Sequence, residues 1–221
     1  LLPEAFKQSE YRRSLKHEAN VGKTLEHPNL VKIYDLKMTR AHGYFTMEFF
    51  RGANLKALIR NELPFVQSKT QRLMECLTQA LGYMHDKNWV HKDLKPDNVL
   101  LTKTGEVRLI DFTLASRPDS AIARALTKKS SVAIQGTRTY IAPELVRRER
   151  LTFSVDMYSL GIVLFEILTG NPPFRTANAN DLLVMHVREK PPAPSDIESN
   201  VTSEADELVL RMLSKKVKDR P

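Results

Sequence analysis

The sequence predicts an α+β fold in two parts, a small sheet with one helix followed by a mainly helical remainder. Three observations carry that reading. Two β-branched or aromatic runs near the N-terminus are separated by a turn pair, a long amphipathic pattern of helical period begins near residue 67, and a helix apolar on nearly every side occupies 154–170. The 221 residues can bury a sizeable core, and 42% apolar with 27% charged residues is the composition of an ordinary globular chain.

Taken in order, Glu10 to Leu25 forms a charged amphipathic helix, and Pro28 of the His-Pro-Asn run stops it by pushing His27 out of the helical region. Leu30 to Leu36 and Tyr44 to Phe49 read as strands joined by His42-Gly43, a hairpin pair. Beyond Arg51-Gly52 the character changes, so Arg51 to Asn61 is the expected hinge between the two parts. Leu73, Cys76, Leu77, Ala80, Leu81 and Met84 recur at helical spacing across Gln67 to Asp86 and give one long helix. Short strands at Val99 to Leu101 and Val107 to Ile110 flank Thr104-Gly105, and a loop rich in Ser, Thr and basic residues runs to about Tyr140. The apolar helix at 154–170 belongs in the middle of a lobe and ends at Thr169-Gly170, while Asp156 and Glu166 argue against its crossing a membrane. Two further helices are expected at Ala179 to Arg188 and Ser203 to Leu213, the second opened by a capping-box pattern, Ser203 to Asp206.

The charge balance excludes some functions. Thirty-four Lys and Arg against 26 Asp and Glu give +8, but the bases are scattered and aromatics are 7%, so a solvated surface is expected rather than a nucleic-acid footprint. The single cysteine, Cys76, excludes an intrachain disulfide and a multi-cysteine zinc site, and reads as a small buried hydrophobe. No run approaches the roughly 18 to 20 apolar residues of a membrane span, and the first residues mix acids with bases unlike a signal peptide. A cytoplasmic setting is the expectation, with any membrane anchor lying outside this chain.

Chemistry concentrates in HKDLKPDNVLL at 91–101 and IDF at 110–112. Asp93, Asp97, Asn98 and Asp111 are hard oxygen ligands or bases on a loop and just past a strand, with Lys95 among them, a kit suited to Mg²⁺ and phosphate. By spacing alone, such residues are usually turn formers. Together with GTRTYIAPE at 136–144, however, these strings resemble the protein-kinase signature set in order and spacing.

The resemblance covers essentially the whole chain and implies the two-lobed protein-kinase-like fold: a partial first lobe at 1–50, a hinge with a short helix at 51–61, and the second lobe at 62–221. It implies a serine/threonine kinase using ATP and Mg²⁺ on protein hydroxyls, since Lys95 stands where serine/threonine kinases carry lysine. Asp93 matches the catalytic-loop aspartate, Asn98 and Asp111 the magnesium ligands, and Thr137 the threonine that bonds Asp93 and Lys95. Met47 matches the back of the adenine pocket, Glu48 and Phe50 the backbone-bonding hinge positions, Leu100 the pocket floor and Glu18 the glutamate of the first-lobe helix. Without that register Met47, Phe49, Phe50 and Leu100 would be strand core and Glu18 a solvated helix face. Glu144 and Arg220 match a locking ion pair, and Asp156 the aspartate that holds the catalytic-loop backbone.

Some positions depart from the pattern. Thr113 follows Asp111-Phe112 where the family has glycine, which restricts the loop, and Lys92 replaces the usual arginine before Asp93, which weakens control by a phosphate. No Gly-rich loop and no strand lysine for Glu18 occur, so both ends are expected to be cut and the fragment to be weak or inactive. A catalytically silent scaffold is the alternative function. Positions 117–138 carry five bases against Asp119, a net +4, with Thr127, Ser130 and Ser131 within and Thr139 just beyond as acceptors, which suits autophosphorylation.

Overall fold

A computed structural model describes residues 8–39, 41–118 and 138–221. Helix α1 (Ser9–Gly22) is the first element among the described residues, shorter than expected. It ends at Gly22, against whose Cα the side chain of Ile33 packs, and the chain turns through Lys23 to Leu25 before reaching Pro28.

Strands β1 (Ile33–Met38) and β2 (Gly43–Met47) pair antiparallel, with Leu36 opposite Phe45. The strand expected at Leu30 starts three residues late, at Ile33. Leu30 and Val31 instead join another sheet: the N–H of Val31 donates to Leu109 O at 3.0 Å and that of Leu109 to Asn29 O at 2.8 Å. In that sheet β4 (Val99–Leu101) lies between β3 (Ala53–Asn54) and β5 (Val107–Leu109). The His-Pro-Asn run thus delivers two apolar residues from one sheet to the edge of the next.

Helix α2 (Leu55–Asn61) occupies the expected hinge region. The single helix expected from Gln67 is two, α3 (Leu63–Ser68) and α4 (Thr70–Asp86), because Pro64 can open a helix of its own. All six residues picked by periodicity in α4 are buried, Cys76 among them. Helix α5 (Pro143–Val146) precedes α6 (Ser154–Thr169), which is buried on every side. Gly170 closes α6 at φ +76°, a left-handed position a side chain resists. Inside α6, Gly161 leaves room for Met212 and Leu213, so α8 (Ser203–Met212) lies directly on it. The cap of α8 is Thr202, whose Oγ1 accepts the N–H of Ala205 at 3.3 Å, and not Ser203. Asp206, expected to complete the capping box, accepts from the N–H of Ser195 at 3.0 Å instead.

Helix α7 (Ala179–Arg188) reaches α6 through one buried histidine. His186 Nδ1 and the Tyr158 hydroxyl are 3.0 Å apart, the Phe174 ring stands edge-on to the imidazole at 5.1 Å, and the Lys215 ammonium lies 4.5 Å from the Phe174 ring centre. Burial, reinforced by the Lys215 charge, pushes the His186 imidazole down to about 4 from an ordinary 6.5. Between these values the unfolded chain binds a proton that the folded one refuses, so stability is full above pH 6.5 and falls as pH drops toward 4. Acidification from pH 7 to 5 should therefore cost about 2 kcal/mol through this residue. His186→Phe should lose correspondingly less stability over the same interval; equal losses in urea titrations of the two proteins would refute this assignment.

Candidate active site

The loop from His91 to Asn98 is fixed by groups from three directions. Asp156, buried in the first turn of α6, accepts the N–H of His91 on Oδ2 and that of Lys92 on Oδ1, both at 2.8 Å, and His85 of α4 meets Oδ2 at 2.9 Å. Asn54 caps α2 with Oδ1 and donates from Nδ2 to Asp97 O at 2.6 Å, so the start of α2 is tied to the same loop. Reciprocal 2.9 Å bonds between Val90 and Ser116 join the loop's beginning to the segment beyond Asp111.

Within this frame Asp93 is gripped from its own loop. Lys95 Nζ donates to Asp93 Oδ2 at 2.6 Å, and Asn98 Nδ2 donates to the same oxygen at 3.0 Å and to Asp93 O at 2.8 Å. The Asp93 and Lys95 side chains are both only 14% exposed, which leaves a nearly desolvated carboxylate with a narrow opening to solvent. A 3₁₀ turn at Pro96–Asn98 brings Asn98 round, and Ile110 N donates to Asn98 O at 2.9 Å, placing Asp111 beside the loop.

Two residues here hold left-handed backbone without being glycine: Lys92 and Asp111, each at φ +69°. Such conformations cost about 1–3 kcal/mol apiece and persist where the surroundings over-determine them. The Asp156 carboxylate does this for Lys92; Phe112, fully buried and edge-on to His91 at 6.0 Å, does so for Asp111. Burial holds the Lys92 ammonium below the ordinary lysine range, opposed by the Asp156 charge.

Glu18 of α1 also reaches this place. Its carboxylate accepts from Thr113 Oγ1 at 3.0 Å, and burial, helped by the Asp111 charge, raises it above the ordinary carboxylate value against the pull of that hydrogen bond. Glu18 is therefore no solvated helix residue. Asp111 in turn accepts the N–H of Thr113 on Oδ1 at 3.1 Å.

The nucleotide residues expected near the hinge are arranged less tightly. Met47 is 48% exposed and Phe49 85%, so neither is strand core: Phe45 of β2 packs against the core, whereas Met47 is the last residue of the strand and Phe49 lies beyond it. Glu48 donates its N–H to Lys32 O at 2.8 Å, and its carboxylate takes a forked contact from Arg108 of β5 at 3.0 and 3.1 Å. The Arg108 guanidinium also covers the Phe50 ring at 4.7 Å. Leu100 is half-buried on β4 opposite Arg108. A cavity of about 350 Å³ lies on the Glu48–Arg108 side, lined also by His27 and Tyr34, and takes no lining from Asp93, Asn98 or Asp111. Thr137 and the acceptors Thr127, Ser130 and Ser131 lie outside the described residues.

Two ion pairs secure the segment after residue 138. Arg220 forks onto Glu144 at 2.6 and 2.8 Å, as its place in the sequence suggests. The second was not foreseen: Glu166 of α6 accepts from Lys56 of α2 at 2.5 Å and from the Tyr140 hydroxyl at 2.6 Å. A carboxylate in a helix apolar all round signals such a partner, because a buried charge needs one. The residues Asn54, His85 and Arg108 were likewise missed, and their types carry no signal of their own in sequence.

The model of the protein kinase domain family matches residues 2–221. A probable serine/threonine-protein kinase of Streptomyces coelicolor is 32% identical over 209 residues, 93% of this chain and 31% of its own length. Serine/threonine-protein kinase PknB of Mycobacterium leprae is 32% identical over 209 residues, 93% of this chain and 33% of its own. PrkC of Bacillus subtilis, also a serine/threonine-protein kinase, is 32% identical over 207 residues, 94% and 31%. The chain spans about a third of the length of these curated relatives.

Proposed function

The chain belongs to the protein kinase family, and from that premise we propose that it transfers the γ-phosphoryl group of ATP to Ser or Thr hydroxyls of proteins. The observation that carries the reading is the Asp93 carboxylate, held by Lys95 and Asn98 on a loop whose backbone is anchored to buried Asp156. Asp93 accepts or orients the proton of the attacking hydroxyl. Lys95 fixes that carboxylate and offers positive charge where charge develops on the phosphoryl oxygens. Thr137 is assigned the role of bonding both.

Asn98 and Asp111 suit a magnesium ion by the chemistry of their free atoms. The Asn98 amide nitrogen is spent on Asp93, which leaves its carbonyl oxygen; Asp111 has one oxygen on Thr113 N and another available. Bound Mg²⁺ would neutralise phosphate charge there. Among the described residues no group of three or more His, Cys, Asp or Glu forms a metal site, so two protein oxygens would rely on phosphate and water for the remaining positions. Met47, Glu48, Phe50 and Leu100 are read as the adenine side of the cleft, with Glu18 behind Asp111. Residues 1–50 form part of one lobe, 51–61 the hinge and 62–221 the other lobe. Among the described residues no helix is long and apolar enough to cross a membrane.

The same chemistry turned on the chain itself places phosphate among the bases of 117–138, where it neutralises a local +4. The protein at its full natural length, incubated with Mg-ATP and a Ser/Thr-rich acceptor protein, should label the acceptor on Ser or Thr, and mass spectrometry should find phosphate between Ser116 and Thr139. No label on the acceptor would favour a silent scaffold; a labelled acceptor with an unmodified 116–139 stretch would remove self-phosphorylation alone.

A further inference from the structure

We propose that Thr113 is a positioning residue that latches helix α1 to the turn carrying Asp111. Its hydroxyl donates to Glu18 Oε2 at 3.0 Å while its N–H donates to Asp111 Oδ1 at 3.1 Å, so one residue touches both carboxylates. The adjacent helix residue repeats the attachment two positions on: His17 Nε2 and Ala115 O are 2.7 Å apart. Two neighbouring side chains of α1 thus hold alternate residues of a turn closed by the Ala115 N–H on Phe112 O at 3.1 Å, and Leu114 between them turns outward at 36% exposure.

The latch answers two needs of this chain. Asp111 sits at φ +69°, a conformation that lasts only where its neighbours enforce it, and the Thr113 N–H closes a turn on its carboxylate. Glu18 lies half-buried, and a carboxylate out of water requires a donor. The Thr113 hydroxyl is one, placed by the β-branched side chain that stiffens χ1. Glycine at this position could supply the N–H but no hydroxyl, and would free the backbone. Thr113 is thereby a tether between α1 and Asp111, and the position of Asp111 depends on it. The catalytic consequence rests on the kinase reading; the latch itself does not.

The test compares Thr113→Val, which keeps the branched shape and removes the hydroxyl, with Thr113→Ser, which keeps the hydroxyl, and Thr113→Ala as a second removal, all in the protein at its full natural length. Hydrogen exchange in the amides of 112–116 and 14–22 should quicken about tenfold or more in Val and Ala, the factor for losing one hydrogen bond to a charged group, and stay near wild type in Ser. Exchange in α6 should not change. Phosphoryl transfer should drop in kcat by a similar factor in Val and Ala, with recovery in Ser. If Val and Ser exchange alike at 112–116, the latch is refuted, whatever the activity. If exchange separates them but wild type transfers no phosphate, the kinase reading fails and the latch stands.

Discussion

Asp93→Asn should remove phosphoryl transfer by about 10²–10⁴-fold in kcat, the range for loss of a positioned proton acceptor. The substitution keeps the side chain's size, and its Oδ1 still accepts from Lys95 and Asn98, so the loop geometry has no reason to move. What disappears is the negative charge beside the Lys95 ammonium and with it the ability to take a proton. The thermal midpoint should stay within about 2 °C of wild type, because the loop backbone is held by Asp156 and Asn54 and not by Asp93. The assay is steady-state phosphoryl transfer paired with a calorimetric melt. Undiminished kcat would exclude Asp93 as the acceptor, and a collapsed melt would show the loss to be structural.

A distinction between spacing and contact explains what the sequence could show of this site. The Asp93, Lys95, Asn98 and Asp111 set lies in two short strings, so its members were legible as a pattern before any geometry. The six buried residues of α4 and the largely buried α6 were legible too, because a helical period is a local property. Contacts made across the chain leave no such trace. Leu30 and Val31 look like the start of the following strand, yet Leu109 lies 79 positions away and captures them. Thr113 reads as a departure from a glycine position; only the fold reveals that its hydroxyl meets Glu18, 95 residues earlier. Lys56 and Glu166 stand 110 apart, one on a short half-buried helix and the other in an apolar one. In the last case physics offered a half-clue, since a carboxylate in α6 had to find a cation somewhere.

Breaking the Glu144–Arg220 pair should have the largest effect on stability of any single change outside the core. Arg220→Met leaves Glu144, 2% exposed at its side chain, with no cation, and it also strips donors from Ser154 O at 2.8 Å and Ser214 O at 2.9 Å. An uncompensated buried charge of this kind costs about 3–5 kcal/mol. For a chain of this size that lowers Tm by about 6–20 °C. The pair's own net worth is smaller, because desolvating both charges offsets most of their attraction. Adding Glu144→Leu to Arg220→Met should therefore recover much of the loss, short of the part owed to the two orphaned carbonyls and to the guanidinium over the Tyr158 ring at 4.9 Å. Salt separates this from a surface effect: with both side chains out of solvent, raising ionic strength should leave the wild-type midpoint nearly unmoved, whereas a solvent-exposed pair would weaken. A double variant no more stable than Arg220→Met, measured by calorimetry at two salt concentrations, would show that Glu144 is not the charge whose isolation costs the fold, and would shift the cost to the carbonyls that bridge α6 to the end of α8.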